Sequence, residues 1–471
     1  MFNTHKAGIC VGATLALLAT ILPAAAAQTA TAAQTAITAQ PSYTFHNIGS
    51  VNGDSTNSSG VNNIGQVAGS IFGSAQSVFL TDANGGTLRD LGRLGGSYCE
   101  GLGVNNAGQV VGTGAISSGS SHAFLSSPNG GMLHDLGTLG GSYSSGYGVN
   151  NSGQVTGNAA INAHGDSHAF LSDANGGLLR DLGTLGGPYP SSTGSGVNDK
   201  GQVTGETSTS DSSIHAFLSD ANGGALHDLG SLGGGQSKGY GVNNSGQVAG
   251  DSTLTPSNPY TRHAFISDVN GGALHDLGTL SGTFSSARGI NNAGQVVGGS
   301  SASDNSHHAF LFTNGQMLDL NTLITNSTNG LALTEASSIS DTGFITGEAY
   351  DAVAGKSFAF LLTPNLPVLS ATAAASAAQN GSRQLRISVS NNGTAGANAV
   401  RILSVTLAGA AASSVLPTVP TSLLPGQALT ASVSVPTAAT SRAIVRVSGD
   451  YTDPATGKIG QFSTSLRLIL P

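Results

Sequence analysis

Histidine and aspartate recur at matched positions along the chain and could, as pairs, carry acid–base chemistry. A histidine that accepts a proton and an aspartate that orients it are a common catalytic arrangement. Catalysis needs one asymmetric constellation, however, whereas here the same pair would occur in five copies. We therefore interpret these residues as a recurring structural hydrogen bond. They are His122, His168, His215, His263 and His308, each in His-Ala-Phe or a close copy, and Asp90, Asp135, Asp181, Asp228 and Asp276, each in Leu-x-Asp-Leu-Gly, with Asp319 in a weaker copy.

Four glycine-rich loops resemble a calcium site only in part. They lack the distal glutamate of an EF-hand loop, and a β-turn whose aspartate bonds its own backbone explains the same residues. No Cys/His spacing suits zinc. The single cysteine beyond the leader, Cys99, has no local base and is expected to be inert. We predict no metal and no cofactor. The four loops begin at Asp82, Asp173, Asp220 and Asp268.

The elements that position these residues come from an internal repeat. The segment from Gly60 to Gly69 recurs five times and has a degenerate seventh copy at Ser338, with copies 43 to 49 residues apart. Each unit contains four short strand candidates separated by Asn/Gly turns, and four antiparallel strands in about 45 residues are typical of a β-propeller blade. A β-solenoid is the alternative, although its rungs are usually shorter. In one unit the strands are 147–150, 154–158, 168–172 and 178–182.

The two ends of the repeat region complement each other. The last unit has no fourth strand after Leu362, while the segment from Tyr43 to Gly49 looks like an orphan fourth strand ahead of the first unit. Joining the two would remove both open sheet edges. The sequence therefore predicts an all-β fold in which residues 43–363 form a seven-bladed β-propeller closed by an N-terminal strand.

Three repeated motifs together resemble a known family. The His-Ala-Phe strand, the Asp-Leu-Gly-x-Leu-Gly-Gly turn and the Gly-Val-Asn-Asn-x-Gly-Gln-Val-x-Gly hairpin are similar to the HAF family of bacterial repeat proteins, over residues 43–363. The first and last units depart from the pattern, with Ser77 and Phe358 in the histidine position. The resemblance implies export and repetition, and no assigned reaction.

Different sequence patterns flank the repeats. Residues 1–27 have the charged start, apolar run and small-residue cleavage site of a secretory signal peptide, with a retained anchor as the alternative. Residues 28–42 are predicted to be a flexible spacer. Residues 364–471 alternate as short strands, which suits an immunoglobulin-like β-sandwich, and the segment from Ser390 to Val400 resembles modules of the CARDB type. We expect a secreted or periplasmic protein with no membrane span after signal removal.

The connections that vary between units are the candidate binding surface. In a four-stranded blade, the second-to-third loop and the blade-to-blade connection open on the same face, and variable loops on a rigid scaffold often carry binding. Aromatic rings beside carboxylates could hold a sugar or a partner protein, or the rings could fill the gaps between blades. These residues are Tyr98, Tyr143, Tyr147, Tyr189, Tyr240, Phe284, Asp166, Glu206, Asp211, Asp251, Asp304, Glu348 and Asp351.

Charge separates the two parts of the chain. The repeats have 22 acidic and 8 basic residues, a net −14, whereas the tail has 2 and 7, a net +5. The overall −8, with scattered Lys and Arg, argues against nucleic acid as a partner. We predict a monomeric, non-catalytic binding protein at the cell surface or outside the cell, with a glycan or a surface protein as ligand. The alternatives are a polysaccharide hydrolase or lyase of the propeller type and a structural envelope or matrix component.

Overall fold

The computed structural model describes residues 40–49, 54–304, 306–376, 380–393, 395–412, 421–436 and 442–469. The predicted signal peptide and most of the predicted spacer lie outside these residues. Within them the chain is built from β-strands, with two short 3-10 helices at Ala83–Gly85 and Leu320–Leu323 and no α-helix. None of the described helices has the length and apolar character needed to cross a membrane.

Between residues 40 and 364, the described residues form seven four-stranded antiparallel sheets. The sheets are numbered here in chain order, and the seventh takes its fourth strand from the N-terminal side. The first strands are β2 (Ser55–Val61), β6 (Cys99–Val104), β10 (Ser144–Val149), β14 (Ser192–Val197), β18 (Ser237–Val242), β22 (Ser281–Ile290) and β26 (Ala332–Ile339). The second strands are β3 (Val67–Phe72), β7 (Val110–Ala115), β11 (Val155–Ala160), β15 (Val203–Ser208), β19 (Val248–Thr255), β23 (Val296–Ala302) and β27 (Ile345–Asp351).

The outer two strands complete each sheet. The third strands are β4 (Ser77–Thr81), β8 (Ser121–Ser126), β12 (Ser167–Ser172), β16 (Ile214–Ser219), β20 (Asn258–Ser267), β24 (His307–Thr313) and β28 (Lys356–Pro364). The fourth strands are β5 (Leu88–Gly92), β9 (Leu133–Asp135), β13 (Leu179–Asp181), β17 (Leu226–Asp228), β21 (Leu274–Asp276), β25 (Gln316–Asp319) and β1 (Tyr43–Asn47). All seven first strands line one central channel. The prediction of an all-β propeller is confirmed.

A buried phenylalanine in every third strand forms the core of each sheet. Alternate side chains of a strand point to opposite faces of the sheet. On its face, this ring packs against the second strand at a position where the repeat always has glycine. At Gly112, for instance, a Cβ would lie 2.7 Å from Cζ of Phe124 and 1.8 Å from the carbonyl oxygen of Glu100, so no side chain fits. The buried rings are Phe79, Phe124, Phe170, Phe217, Phe265, Phe310 and Phe360.

The turns of each unit bond to one another at one end of the sheet. In the third sheet, Asn150 accepts from the backbone N–H of Ser152 and of Gln154. The neighbouring turn places Asn175 at φ 55°, a left-handed conformation that asparagine tolerates. The N–H of Asn175 then donates to the carbonyl of Ser152 at 3.1 Å. The repeated Asn and Gly residues therefore fix two turns at once.

The first and last sheets meet through hydrogen bonds between distant segments. Strand β1 pairs antiparallel with β28, with Phe45 opposite Leu362. The second asparagine of each first turn, or the aspartate in its place, accepts from the backbone N–H of the equivalent residue in the preceding sheet at 2.8 to 3.1 Å, and the series returns to its start. This asparagine circle consists of Asn63, Asn106, Asn151, Asp199, Asn244, Asn292 and Asp341.

The tail contains two sheets packed over one core. One sheet has the order β29 (Leu369–Ala375), β30 (Ser382–Asn391), β34 (Ala428–Pro436). The other has the order β32 (Ala410–Ala411), β31 (Ala397–Leu407), β35 (Arg442–Thr452), β36 (Ile459–Ile469), and β33 (Thr421–Leu423) also pairs with β31. Residues from both sheets share a single hydrophobic core.

The turn between β35 and β36 contacts the propeller. Asp453 and Thr456 are buried, and Ala455 is fully buried within the hydrophobic core of the seventh sheet. A Cβ at Gly343, in the first turn of that sheet, would lie 3.2 Å from the carbonyl oxygen of Ala455. The tail is therefore docked on the face that carries the first turns.

Candidate ligand-binding channel

The propeller has two distinct faces. The lower face carries the first-to-second and third-to-fourth turns, including the asparagine circle. The upper face carries the second-to-third loops and the connections between sheets, which also bond to each other: the Tyr143 hydroxyl donates to the carbonyl of Gly165 at 3.2 Å. The lower face is nearly the same in every unit, whereas the upper face varies.

The central channel has a volume of about 760 Å³. Its repeated lining is glycine and small residues of the first strands, since the motif is Gly-x-Gly-Val. Position x differs from sheet to sheet, so large side chains enter the channel only from some sheets. Aromatic and charged side chains line it at six places, namely Tyr147, Glu206, Tyr240, Arg288, Glu335 and Glu348.

Ion pairs hold most of these charges in place. Nζ of Lys238 lies 2.7 Å from Oε2 of Glu206, between neighbouring sheets. Nε of Arg288 donates to Oε1 of Glu335 in the next sheet. Glu348 accepts a hydrogen bond from the Ser357 hydroxyl, but within the described residues no Lys, Arg or His nitrogen lies within 4.0 Å of its carboxylate.

Arg288 links an aromatic ring to a carboxylate. Its Cζ lies 4.6 Å from the ring centroid of Tyr240, within the range of a cation–π contact. Burial lowers the pKa of Arg288, but the charge and hydrogen bond of Glu335, together with Tyr240 and Asp251, outweigh burial, so the pKa is raised overall. Burial, aided by the charge of Asp251, raises the pKa of Tyr240 to about 12, so its hydroxyl stays protonated. Burial also raises the pKa of Tyr147.

A third ion pair lies beside the channel, in the fifth sheet. Asp251 is buried, and its Oδ1 accepts from Nε of Arg262 at 2.7 Å. Its Oδ2 accepts from the hydroxyl of Ser286 in the sixth sheet at 2.8 Å. Both oxygens are thus occupied, and Asp251 joins two sheets rather than facing a ligand.

Seven of the residues predicted on the variable connections lie on strands, which corrects their placement. First strands begin at Ser144 or its equivalent, three residues before the predicted start, so aromatic residues near the start lie inside the strand. Second strands likewise extend farther toward the upper face. The seven residues are Tyr147, Tyr240 and Phe284 on first strands and Glu206, Asp251, Glu348 and Asp351 on second strands.

The other six predicted residues lie on the upper face but do not converge. Tyr98 bonds to Ser121, and Tyr189 is 87% exposed. The Thr209 hydroxyl lowers the pKa of Asp211, and the Ser306 hydroxyl lowers that of Asp304. Both carboxylates therefore complete their own turns. The remaining two are Tyr143 and Asp166, which accepts from Asn162. Asp351, at the end of β27, accepts from the N–H of Val353 and Ala354.

Sequence reasoning missed Arg288, Glu335, Lys238 and the exposed Tyr260. The first three stand at first-strand positions where some other sheets have serine, which is a detectable signal once first strands are known to line a channel. Tyr260, 87% exposed, stands at the upper end of β20 in the longest second-to-third hairpin. Its signal was the extra length of that hairpin.

The repeated His and Asp residues are paired on the outer rim. Nδ1 of His168 lies 2.8 Å from Oδ1 of Asp181, and the same pair joins the third and fourth strands of four other sheets at 2.7 to 2.9 Å. In the first sheet Ser77 stands in the histidine position, and Asp90 accepts from the N–H of Gly92. None of these pairs faces the channel.

Other predicted chemistry finds local explanations. Asp82 lies 3.4 Å from Arg89, while Asp220 and Asp268 pair with histidines of the next strand. Among the described residues, no group of three or more His, Cys, Asp or Glu side chains is placed to hold a metal ion. Cys99 is fully buried, and burial raises the pKa of its thiol to about 11.

No family model matches the chain, and no curated protein matches it. Among solved structures, a putative TolB from Agrobacterium tumefaciens is similar at 11% identity and a TM-score of 0.37, over 50% of this chain and 88% of that one. TolB from Acinetobacter baumannii is similar at 12% identity and a TM-score of 0.37, over 59% of this chain and 62% of that one. Because neither TM-score reaches 0.5, the propeller assignment rests on the sheets themselves.

Proposed function

We propose that this is an exported, non-catalytic binding protein of the cell surface or extracellular space, and that the upper part of its channel binds a glycan. In this proposal the seven sheets are the blades of one closed ring, the tail is an immunoglobulin-like domain, and residues 1–27 direct secretion or delivery to the periplasm. The repeated motifs support membership of the HAF family. The protein acts as a monomer.

One observation carries the proposal. The scaffold repeats the same residues almost everywhere, yet the channel receives unlike side chains from different sheets. Tyr147 and Tyr240 supply rings, and Glu206, Glu348 and the Arg288–Glu335 pair supply hydrogen-bonding groups. A packed ring does not need such differences for stability, because Ser59, Ser195 and Ser337 occupy the same position as Tyr147 in other sheets.

The shape of the site favours a glycan over a protein partner. A channel of about 760 Å³ lies within the ~300–1,000 Å³ of ligand pockets. Protein interfaces instead bury roughly 800 Å² on each partner, across a broad surface. Rings and fixed polar groups in a concave site suit a sugar, which has apolar C–H faces and hydroxyl edges.

Binding of residues 28–471 to a glycan array and to insoluble polysaccharides tests the proposal, with calcium and with EDTA. Tyr147→Ser introduces the serine that the first, fourth and seventh sheets have at this position, and Tyr189→Ala is the control on the outer loops. A binding site in the channel is supported if binding is saturable, is weakened about tenfold by Tyr147→Ser and is unchanged by Tyr189→Ala. If Tyr189→Ala weakens binding and Tyr147→Ser does not, the site lies on the outer loops. Absence of binding to any sugar overturns the proposal of a glycan ligand and leaves a protein partner or a structural role.

The alternative of a polysaccharide hydrolase has one observation in its favour. Glu335 and Glu348 are direct partners on neighbouring strands and both line the channel, and glycoside hydrolysis uses two carboxyl groups. Release of reducing ends from a bound polysaccharide, lost in Glu335→Gln, would favour this reaction over binding alone.

A further inference from the structure

The repeat allows the same position to be compared in all seven sheets. At the upper end of each second strand, one residue pairs with the first-strand residue that lies two positions before position x. Every sheet except the sixth has a residue with a side chain at this position, whereas the sixth sheet has glycine. The residues are Ser70, Thr113, Asn158, Glu206, Asp251, Gly299 and Glu348.

The missing side chain opens a pocket between the sixth and seventh sheets. Its volume is about 250 Å³, and Gly299 is part of its lining. A Cβ at Gly299 would lie 3.6 Å from Cγ of Glu335, an ordinary contact, and its φ is not left-handed. Glycine is therefore not required by the backbone at this place, unlike at Gly112.

The pocket combines an aromatic wall with negative charge. The rings of Phe284 and His307 are 6.0 Å apart at 60°, an edge-to-face contact. Arg288 and Glu335 also line the pocket, and their charges offset each other. Glu348 lines it as well, with a hydroxyl partner and no cation within 4.0 Å in the described part of the chain. The pocket thus has one carboxylate charge left to satisfy.

We propose that this pocket binds the primary ammonium group of an amino sugar, a proposal that rests on the glycan-binding function above. An ammonium would donate a charge-assisted hydrogen bond to the carboxylate of Glu348 and make a cation–π contact with Phe284. The pocket is smaller than the ~300 Å³ at which drug-sized sites begin, so it holds one sugar unit, while the adjoining channel holds the rest of the chain. The net −14 of the propeller attracts a cationic polysaccharide.

Calorimetry with defined oligosaccharides separates this proposal from the general function. The probes are a hexamer of β-1,4-linked glucosamine, the matching N-acetylated hexamer and hexalysine, at about pH 6, below the ~7.7–8.0 of an ordinary α-amino group. We expect the glucosamine hexamer to bind at least tenfold more tightly than the other two. Equal binding of both sugars keeps the glycan function and overturns the ammonium site. Equal binding of hexalysine overturns it too, because charge alone would then suffice. Binding of neither sugar also overturns it.

Two variants locate the site without disturbing the ring. Glu348→Gln removes the charge but keeps an acceptor for Ser357, and Gly299→Thr fills the pocket with the residue that the second sheet has at Thr113. Each is expected to weaken binding of the glucosamine hexamer about tenfold and to weaken binding of the N-acetylated hexamer much less, so that the preference between the two sugars falls. Asn158→Thr, at the same position in the third sheet, is the matched control and should change neither. An unchanged preference in both pocket variants, with melting temperatures equal to that of the unmodified protein, overturns the assignment.

Discussion

The backbone N–H of Asp341, in the seventh sheet, donates to Oδ1 of Asn63, in the first sheet, at 2.9 Å. The Thr342 hydroxyl adds a bond to the carbonyl of Asn63 at 2.8 Å. The same N–H to side-chain bond joins every other pair of neighbouring sheets, so the junction between the two ends of the repeat uses the chemistry of the internal junctions. The motif Asn-Asn-x-Gly therefore encodes both a turn and a contact with the next unit.

Strand β1 should be essential to stability because it covers the edge of β28. Phe45→Ala is expected to lower the free energy of unfolding by about 3–5 kcal/mol, the usual cost of removing a buried phenylalanine. Deletion of residues 43–48 should in addition expose the strand edge and cause aggregation. His46→Ala, on the same strand, is the control. Thermal melting and size-exclusion chromatography measure both effects. An unchanged melting temperature and monomeric elution after the deletion would contradict the role of this strand.

The sequence predicts the lower half of each sheet better than the upper half. Turns of Asn and Gly mark the lower strand ends, so the third strand of the third unit, predicted at 168–172, lies at Ser167–Ser172. The upper ends have no such marker. Strand β10 begins at Ser144, whose buried hydroxyl donates to the carbonyl of Gly137, seven residues earlier in the chain.

The channel was harder to predict than the repeat for the same reason. Arg288 and Glu335 are 47 residues apart, and only the arrangement of the sheets brings their side chains together. Sequence position alone grouped Tyr147 and Tyr240 with the connections between blades, although Tyr147 was also predicted to begin a strand. Both residues line the channel because of the strand register. In the tail, the alternation expected from the sequence is present in β30, β31, β34, β35 and β36, whereas the small-residue strand β29 has no distinctive pattern.

Acid should weaken the asparagine circle at Asp199. Burial raises the pKa of this carboxyl, but hydrogen bonds from Asn244 and Asn151 outweigh burial and lower it overall. Since the unfolded chain then binds the proton more tightly, this contribution to stability is present above the ordinary aspartate pKa of ~3.9 and is lost as pH falls through the lowered value. Urea unfolding between about pH 3 and 6 should show a steeper acid loss in the unmodified protein than in Asp199→Asn. Parallel curves for the two proteins would show that Asp199 does not contribute.

The His–Asp pairs of the rim should contribute to stability and not to binding. In the third sheet, His168 ties β12 to β13, a strand of only three residues. A double-mutant cycle with His168→Ala and Asp181→Ala is expected to give a coupling of about 0.2–1 kcal/mol, as for other exposed pairs. Glycan affinity should be unchanged in all three variants. A loss of binding in either single variant would instead place the pair in a functional site.

The docked turn of the tail should depend on Ala455. This side chain is fully buried in the core of the seventh sheet, and a charge placed there would lose its hydration without gaining a partner. Ala455→Glu is therefore expected to release the tail while each part keeps its fold, because the two parts have separate cores. Proteolysis between residues 364 and 369 should become faster, and the radius of gyration in small-angle scattering should increase. Lys458→Ala, on the exposed side of the same turn, is the control. If Ala455→Glu and the control give equal cleavage rates and radii, the contact does not hold the tail.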